Sequence, residues 1–138
     1  MSTQQLSYTK HPQFPGLAGM PFVFLTLSHH DQSIVVSALV DSGASVSVLP
    51  YDVGLQLGLD WDVQKVPAPL WVNVQDAPSW GVVVTGQIDQ FQPFPLVFAW
   101  TRKTSQEVPI LLGQTNFFQT FQVLFDGQAG TFALTRLE

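Results

Sequence analysis

After residue 20 the chain is written in short apolar runs, rich in β-branched and aromatic residues and separated by polar turns, the pattern of β-strands. Residues 22–28 (FVFLTLS) and 33–41 (SIVVSALVD) are rich in aromatic and β-branched residues, and the polar HHDQ between them makes the pair a hairpin. Residues 46–50, 66–74, 80–91, 95–101 and 108–113 read as further strands. A closing hairpin is expected from 121–126 and 130–136, around Gly127-Gln128-Ala129-Gly130. Helical spacing is scarce. Residues 51–59 fit a short helix with Val53, Leu57 and Leu55 facing inward, weakened by two glycines. Residues 114–121 fit one or two helical turns, with Asn116 capping or orienting them. Pro12, Pro15, Gly16 and Gly19 make residues 1–20 an irregular arm, leaving residues 21–138 as one domain. Many short strands with one or two short helices indicate an all-β, small closed fold.

Composition narrows the function. The 138 residues are enough for one domain with a real core. Hydrophobic residues make up 46 % and charged ones 11 %, which argues against disorder and leaves a surface short of charge. The net charge is −5, and five scattered bases form no basic patch, which excludes a nucleic-acid partner. With no cysteine there is no disulfide framework and no thiolate chemistry. The opening residues are polar and broken by prolines, unlike a secretory signal, and no apolar run approaches a membrane span of about 20 residues. A soluble cytoplasmic protein, with no membrane partner, is the expectation.

One stretch departs from strand-and-turn grammar. In SALVDSGASVSVLP (37–50) an apolar strand runs into Asp41, followed by the small residues Ser42, Gly43, Ala44 and Ser45. Taken alone, Asp-Ser-Gly is turn chemistry. Its context adds a carboxylate at a strand end, beside a hydroxyl and the amides around Gly43, and partly withdrawn from water. A second feature lies 72 residues further on: Leu111, Leu112 and Gly113, followed by a short helix and an alternating strand in ILLGQTNFFQTFQVLFD.

Together, LVDSGASVSVLP and ILLGQTNFF…FQVLFD resemble the retropepsin-like aspartic proteases, the single-domain group that includes retroviral proteases and bacterial relatives; the resemblance covers residues 20–136. It implies a closed acid-protease barrel and an aspartic endopeptidase acting on peptide or protein substrates without a cofactor. Asp41 would be the catalytic aspartate. Ser42 would grip the opposite loop across a dimer, Gly43 would leave room for substrate backbone, and Ala44 and Ser45 would line the cleft. Leu111, Leu112 and Gly113 would be threaded behind the active-site loop. The mechanism needs two aspartates sharing a proton across a lytic water. The other Asp-Gly, at Asp126, lies in a surface turn, so the second aspartate would be Asp41 of another copy in a homodimer.

Two departures from the family accompany the resemblance. Retroviral members often pair an acid four residues after the catalytic aspartate with an arginine after the later glycine. Here those places are Ser45 and Gln114, expected to form a neutral hydrogen-bonded pair. The flap region, 68–86, has the turn Gln75-Asp76-Ala77-Pro78-Ser79, with no glycine. Val74, Gln75, Asp76 and Ala77 would be its substrate-facing residues, and Trp71 and Trp80 either cap a substrate or pack in the sheet. His29-His30-Asp31 has no further ligand cluster, and no metal is expected. Two other classes of function fit the same residues: a catalytically inactive retropepsin-like module for dimerisation or peptide binding, and a small barrel that binds an apolar ligand.

Overall fold

The computed structural model describes residues 2–16, 18–67 and 77–138. Six strands close into a barrel in the order β2 (Phe22–His29), β3 (Gln32–Val40), β7 (Ile110–Leu112), β4 (Ser47–Leu49), β6 (Phe94–Thr101) and β5 (Ser79–Gln87). The ring closes where Thr26, Leu27 and Ser28 of β2 meet Gln87, Gly86 and Thr85 of β5. A separate three-stranded sheet has the order β1 (Thr3–Ser7), β9 (Thr131–Arg136), β8 (Phe121–Asp126). The helices are short: α1 (Tyr51–Gln56), α2 (Phe117–Thr120) and a 3₁₀ turn at Trp61–Val63. The all-β closed barrel expected from the many short strands is therefore present.

Pleating sends successive side chains of a strand to opposite faces. In β2 the side chains of Val23, Leu25 and Leu27 are buried, while Phe24 between them is 64 % exposed. The β2–β3 hairpin turns at His30 and Asp31, with His30 in the left-handed region (φ 53°). Three phenylalanines fasten the three-stranded sheet to the barrel: Phe121 packs 5.2 Å from Phe117 and 5.0 Å from Phe94, and Phe117 and Phe121 are fully buried. Phe118 is half-buried and Phe125 exposed. Asp126 caps its hairpin turn, accepting from the Ala129 amide at 3.0 Å.

Several boundaries differ from the sequence expectations. The arm is not irregular throughout: Thr3–Ser7 forms β1, paired in register with Thr131–Thr135. Nothing in TQQLS favours a strand strongly, and its conformation comes from the partner strand. The strand expected at 80–91 stops at Gln87, because Asp89 takes φ 47° and turns the chain. The strand at 108–113 shortens to Ile110–Leu112. Of the strand expected at 66–74, residues 68–74 lie outside the described residues, while Pro67 bridges to Trp80. Val53 in α1 and Leu57 at its C-terminal end are buried as expected, but Leu55 is 47 % exposed and faces out. Gly54 is needed there, since a Cβ at this position would run into the buried Trp100 indole. Among the described residues no helix is long and apolar enough to cross a membrane.

Candidate active site

β3 delivers Asp41 to a loop held from behind by β7. Parallel pairing of Ala38, Leu39 and Val40 with Ile110, Leu111 and Leu112 continues one step past the strand, where the Asp41 amide donates to the Leu112 carbonyl at 2.9 Å. The chain then turns sharply. The Ala44 amide donates to the Asp41 carbonyl at 3.1 Å, and the Gly43 amide donates to Asp41 Oδ1 at 2.9 Å. Gly43 does not occupy the left-handed region among the described residues, so the turn does not need glycine for its φ. Space is tight all the same: a Cβ there would stand 3.2 Å from Asp41 Oδ1, and the carboxylate would have to shift by a few tenths of an ångström. Asp41 itself is half-buried, with Ser42, Gly43 and Ser45 exposed and Ala44 half-buried.

Gly113 passes directly behind this loop. Its amide donates to the Ser47 hydroxyl at 3.0 Å, in a buried setting. A Cβ on Gly113 would lie 2.5 Å from the Val46 carbonyl oxygen and 2.7 Å from that of Ala44. Past Gly113, the Gln114 amide donates to the Ala44 carbonyl at 2.8 Å and the Thr115 amide to the Ser45 carbonyl at 2.9 Å. Leu112 is fully buried in the core, and Leu111 points to the opposite face and is half-buried. The sequence-chosen residues Asp41 to Ser45 and Leu111 to Gly113 thus come together as one substructure.

The expected Ser45–Gln114 pair takes a different form. The Gln114 side chain donates through Nε2 to the Ser42 carbonyl at 2.8 Å, and Ser45 is engaged through its own carbonyl by Thr115. Gln114 is fixed by its backbone bond to Ala44, and from there its side chain meets the Ser42 carbonyl. Ser47 was not singled out by the sequence reading. Its signal was a lone hydroxyl in an apolar alternation, a polar group that must find a partner once buried. Asn116 sits at the entrance to α2 with φ 75°. Its amide donates to Gln119 Oε1 at 2.8 Å, and its own Oδ1 accepts the Val97 amide of β6 at 2.8 Å.

Of the expected flap residues, Val74, Gln75 and Asp76, and Trp71 with them, lie outside the described residues; Ala77 is described and half-buried. Trp80 packs in an aromatic group. It lies opposite Trp100 in the β5–β6 register, and its ring stands edge-on to Trp61 at 6.1 Å. His29 is engaged away from this site, its Nδ1 lying 3.2 Å from the Leu57 carbonyl.

Chemically, the loop offers one carboxylate with one oxygen anchored by an amide. Residues 41–49 and 110–116 contain no other ionisable side chain. One carboxylate can take or give a proton, but it cannot act as base and acid on the same water at the same moment.

No protein-family model and no curated protein matches the sequence. Among solved structures, the chain is similar to the crystal structure of a retropepsin-like aspartic protease from Rickettsia conorii. The match covers 96 % of this chain and 91 % of that one, at 14 % identity and a TM-score of 0.62. At that identity the likeness speaks for the fold, and the chain has the fold of the retropepsin-like aspartic proteases.

Proposed function

We propose that the protein is an aspartic endopeptidase that works as a two-fold homodimer, with Asp41 of each protomer beside the axis. The observation that carries this reading is the half-buried Asp41 carboxylate on a rigid turn, with Oδ1 held by Gly43 and the chain braced by Leu112 and Gly113. Two such carboxylates facing each other cannot both ionise easily, so one proton is shared between them. The ionised partner takes a proton from water, and the resulting hydroxide attacks the peptide carbonyl. The protonated partner donates to the carbonyl oxygen. Collapse of the tetrahedral intermediate then breaks the C–N bond: the aspartate that took the proton from water gives it to the leaving amine, and the other aspartate takes back the hydroxyl proton as the carboxyl product forms.

The rest of the site follows from the same reading. Ser42 grips the opposite loop through its hydroxyl. Ala44 and Ser45 line the cleft, Leu111 to Gly113 brace the loop from behind, and residues Val74, Gln75, Asp76 and Ala77 act on an extended peptide. The segments around Asp41 carry no second charge, which suits apolar side chains next to the cut bond. Analytical ultracentrifugation run beside peptidase assays tests the assembly. Specific activity should rise with protein concentration in step with the dimer fraction. Full activity in a monomer would contradict the shared dyad.

A further inference from the structure

The Ser42–Gly43 peptide is bonded on both sides. Its carbonyl oxygen accepts from Gln114 Nε2 at 2.8 Å, and its amide, that of Gly43, donates to Asp41 Oδ1 at 2.9 Å. A trans peptide is planar, and its C=O and N–H point in opposite directions. Fixing one therefore fixes the other. A donor on the carbonyl also polarises the unit and strengthens the bond its N–H makes. Gln114 is itself held, because its amide donates to the Ala44 carbonyl at 2.8 Å. The line from Gln114 through one peptide to the carboxylate consists of uncharged groups until it reaches Asp41.

We propose that Gln114 is a positioning residue for Asp41, acting through the single peptide unit between Ser42 and Gly43. It holds the carbonyl so that the Gly43 N–H stays aimed at Oδ1, which sets the plane of the carboxylate. Its role depends on donating a hydrogen bond and not on carrying a charge. An arginine at this position keeps a donor, whereas a leucine of similar bulk does not.

The test is the Gly43 amide, read by NMR in the full-length wild type, Gln114→Leu and Gln114→Arg. The side chain of Gln114 is exposed, so both variants should keep the barrel and a thermal midpoint near that of the wild type. In Gln114→Leu the Gly43 amide proton should move upfield and exchange about tenfold faster. In Gln114→Arg both should return toward wild-type values, and the Gly58 and Gly130 amides should not change in either variant. An unchanged Gly43 amide in the leucine variant, or the same shift in the arginine variant, would overturn the proposal. A second arm rests on the aspartic-protease reading: kcat should fall about ten- to a hundredfold in Gln114→Leu, with KM within about twofold, and recover in Gln114→Arg. A wild type with no peptidase activity would defeat that reading alone, and the Gly43 amide would still decide the role of Gln114. Peptidase activity with kcat unchanged in Gln114→Leu would overturn the positioning role.

Discussion

Inside the barrel the fully buried Ser47 hydroxyl accepts the amide of Gly113 at 3.0 Å, and this bond joins the strand that follows the Asp41 loop to the strand behind it. Replacing Ser47 by alanine leaves the Gly113 N–H buried and unpaired, a loss of about 1–3 kcal/mol. Urea unfolding of Ser47→Ala should show a lower midpoint with an unchanged m-value. Ser47→Ala with wild-type stability would mean that water or another group satisfies the amide.

Gly113 should be the less tolerant member of the pair. A methyl at this position meets two backbone oxygens, of Val46 and Ala44, which cannot rotate away as a side chain can. Gly113→Ala should cost about 3 kcal/mol or more and displace the Asp41 loop. Thermal unfolding, with amide spectra of residues 41–46, would report both effects.

A second close approach lies far from Asp41. Gly54 of α1 lies against the Trp100 indole, whose Nε1 donates to the Tyr51 carbonyl at 3.1 Å. Gly54→Ala should destabilise by about 1–3 kcal/mol, despite the better helix propensity of alanine, which alone would favour it by about 1 kcal/mol. Combining it with Trp100→Phe should cost less than the sum of the two single changes, because the smaller ring makes room. Strict additivity in that double-mutant cycle would show that the two sites do not collide.

His11 makes the arm sensitive to acid. Burial against the rings of Phe14 and Phe22 lowers its pKa from the ordinary 6.5, partly opposed by a hydrogen bond with the Ser37 backbone. The Gln13 amide donates to Nδ1 at 3.1 Å, a bond that protonation at Nδ1 would remove. The folded protein therefore holds the proton less tightly than the unfolded chain. The stability associated with neutral His11 is complete above pH 6.5 and is lost as pH falls from 6.5 through the lowered folded value. An NMR titration should place the His11 midpoint below 6.5, and His11→Gln should flatten the loss of stability over that window.

The barrel was legible because its strands are short runs rich in apolar, β-branched and aromatic residues set between polar turns. β2 from Val23 onward and β3 bury alternate side chains, whereas β6 is buried on both faces from Phe98 to Thr101 and is marked by its continuous apolar run instead. β1 was not legible, because Thr3–Ser7 has no strand signal of its own and is held by its pairing with β9. The end of β5 was misplaced because a left-handed residue follows it: nothing in the name Asp89 says that it will take φ 47°. The Asp41 loop and the Leu112–Gly113 strand could be matched across 72 residues, since both carry unusual local chemistry. The partner of Gln114 could not. Two neutral residues at the positions of a familiar ion pair suggested a bond to each other, and only the path of the backbone shows the side chain meeting the Ser42 carbonyl.

The proposed hydrolysis rests on paired Asp41 carboxylates. The most direct measurement is digestion of a mixed peptide library at high protein concentration between about pH 3 and 7, with wild type and Asp41→Asn purified side by side. Wild type should cut and Asp41→Asn should not, while both show the same fold by circular dichroism. Cleavage by neither protein, or equal cleavage by both, would contradict the account and leave the barrel as a binding module.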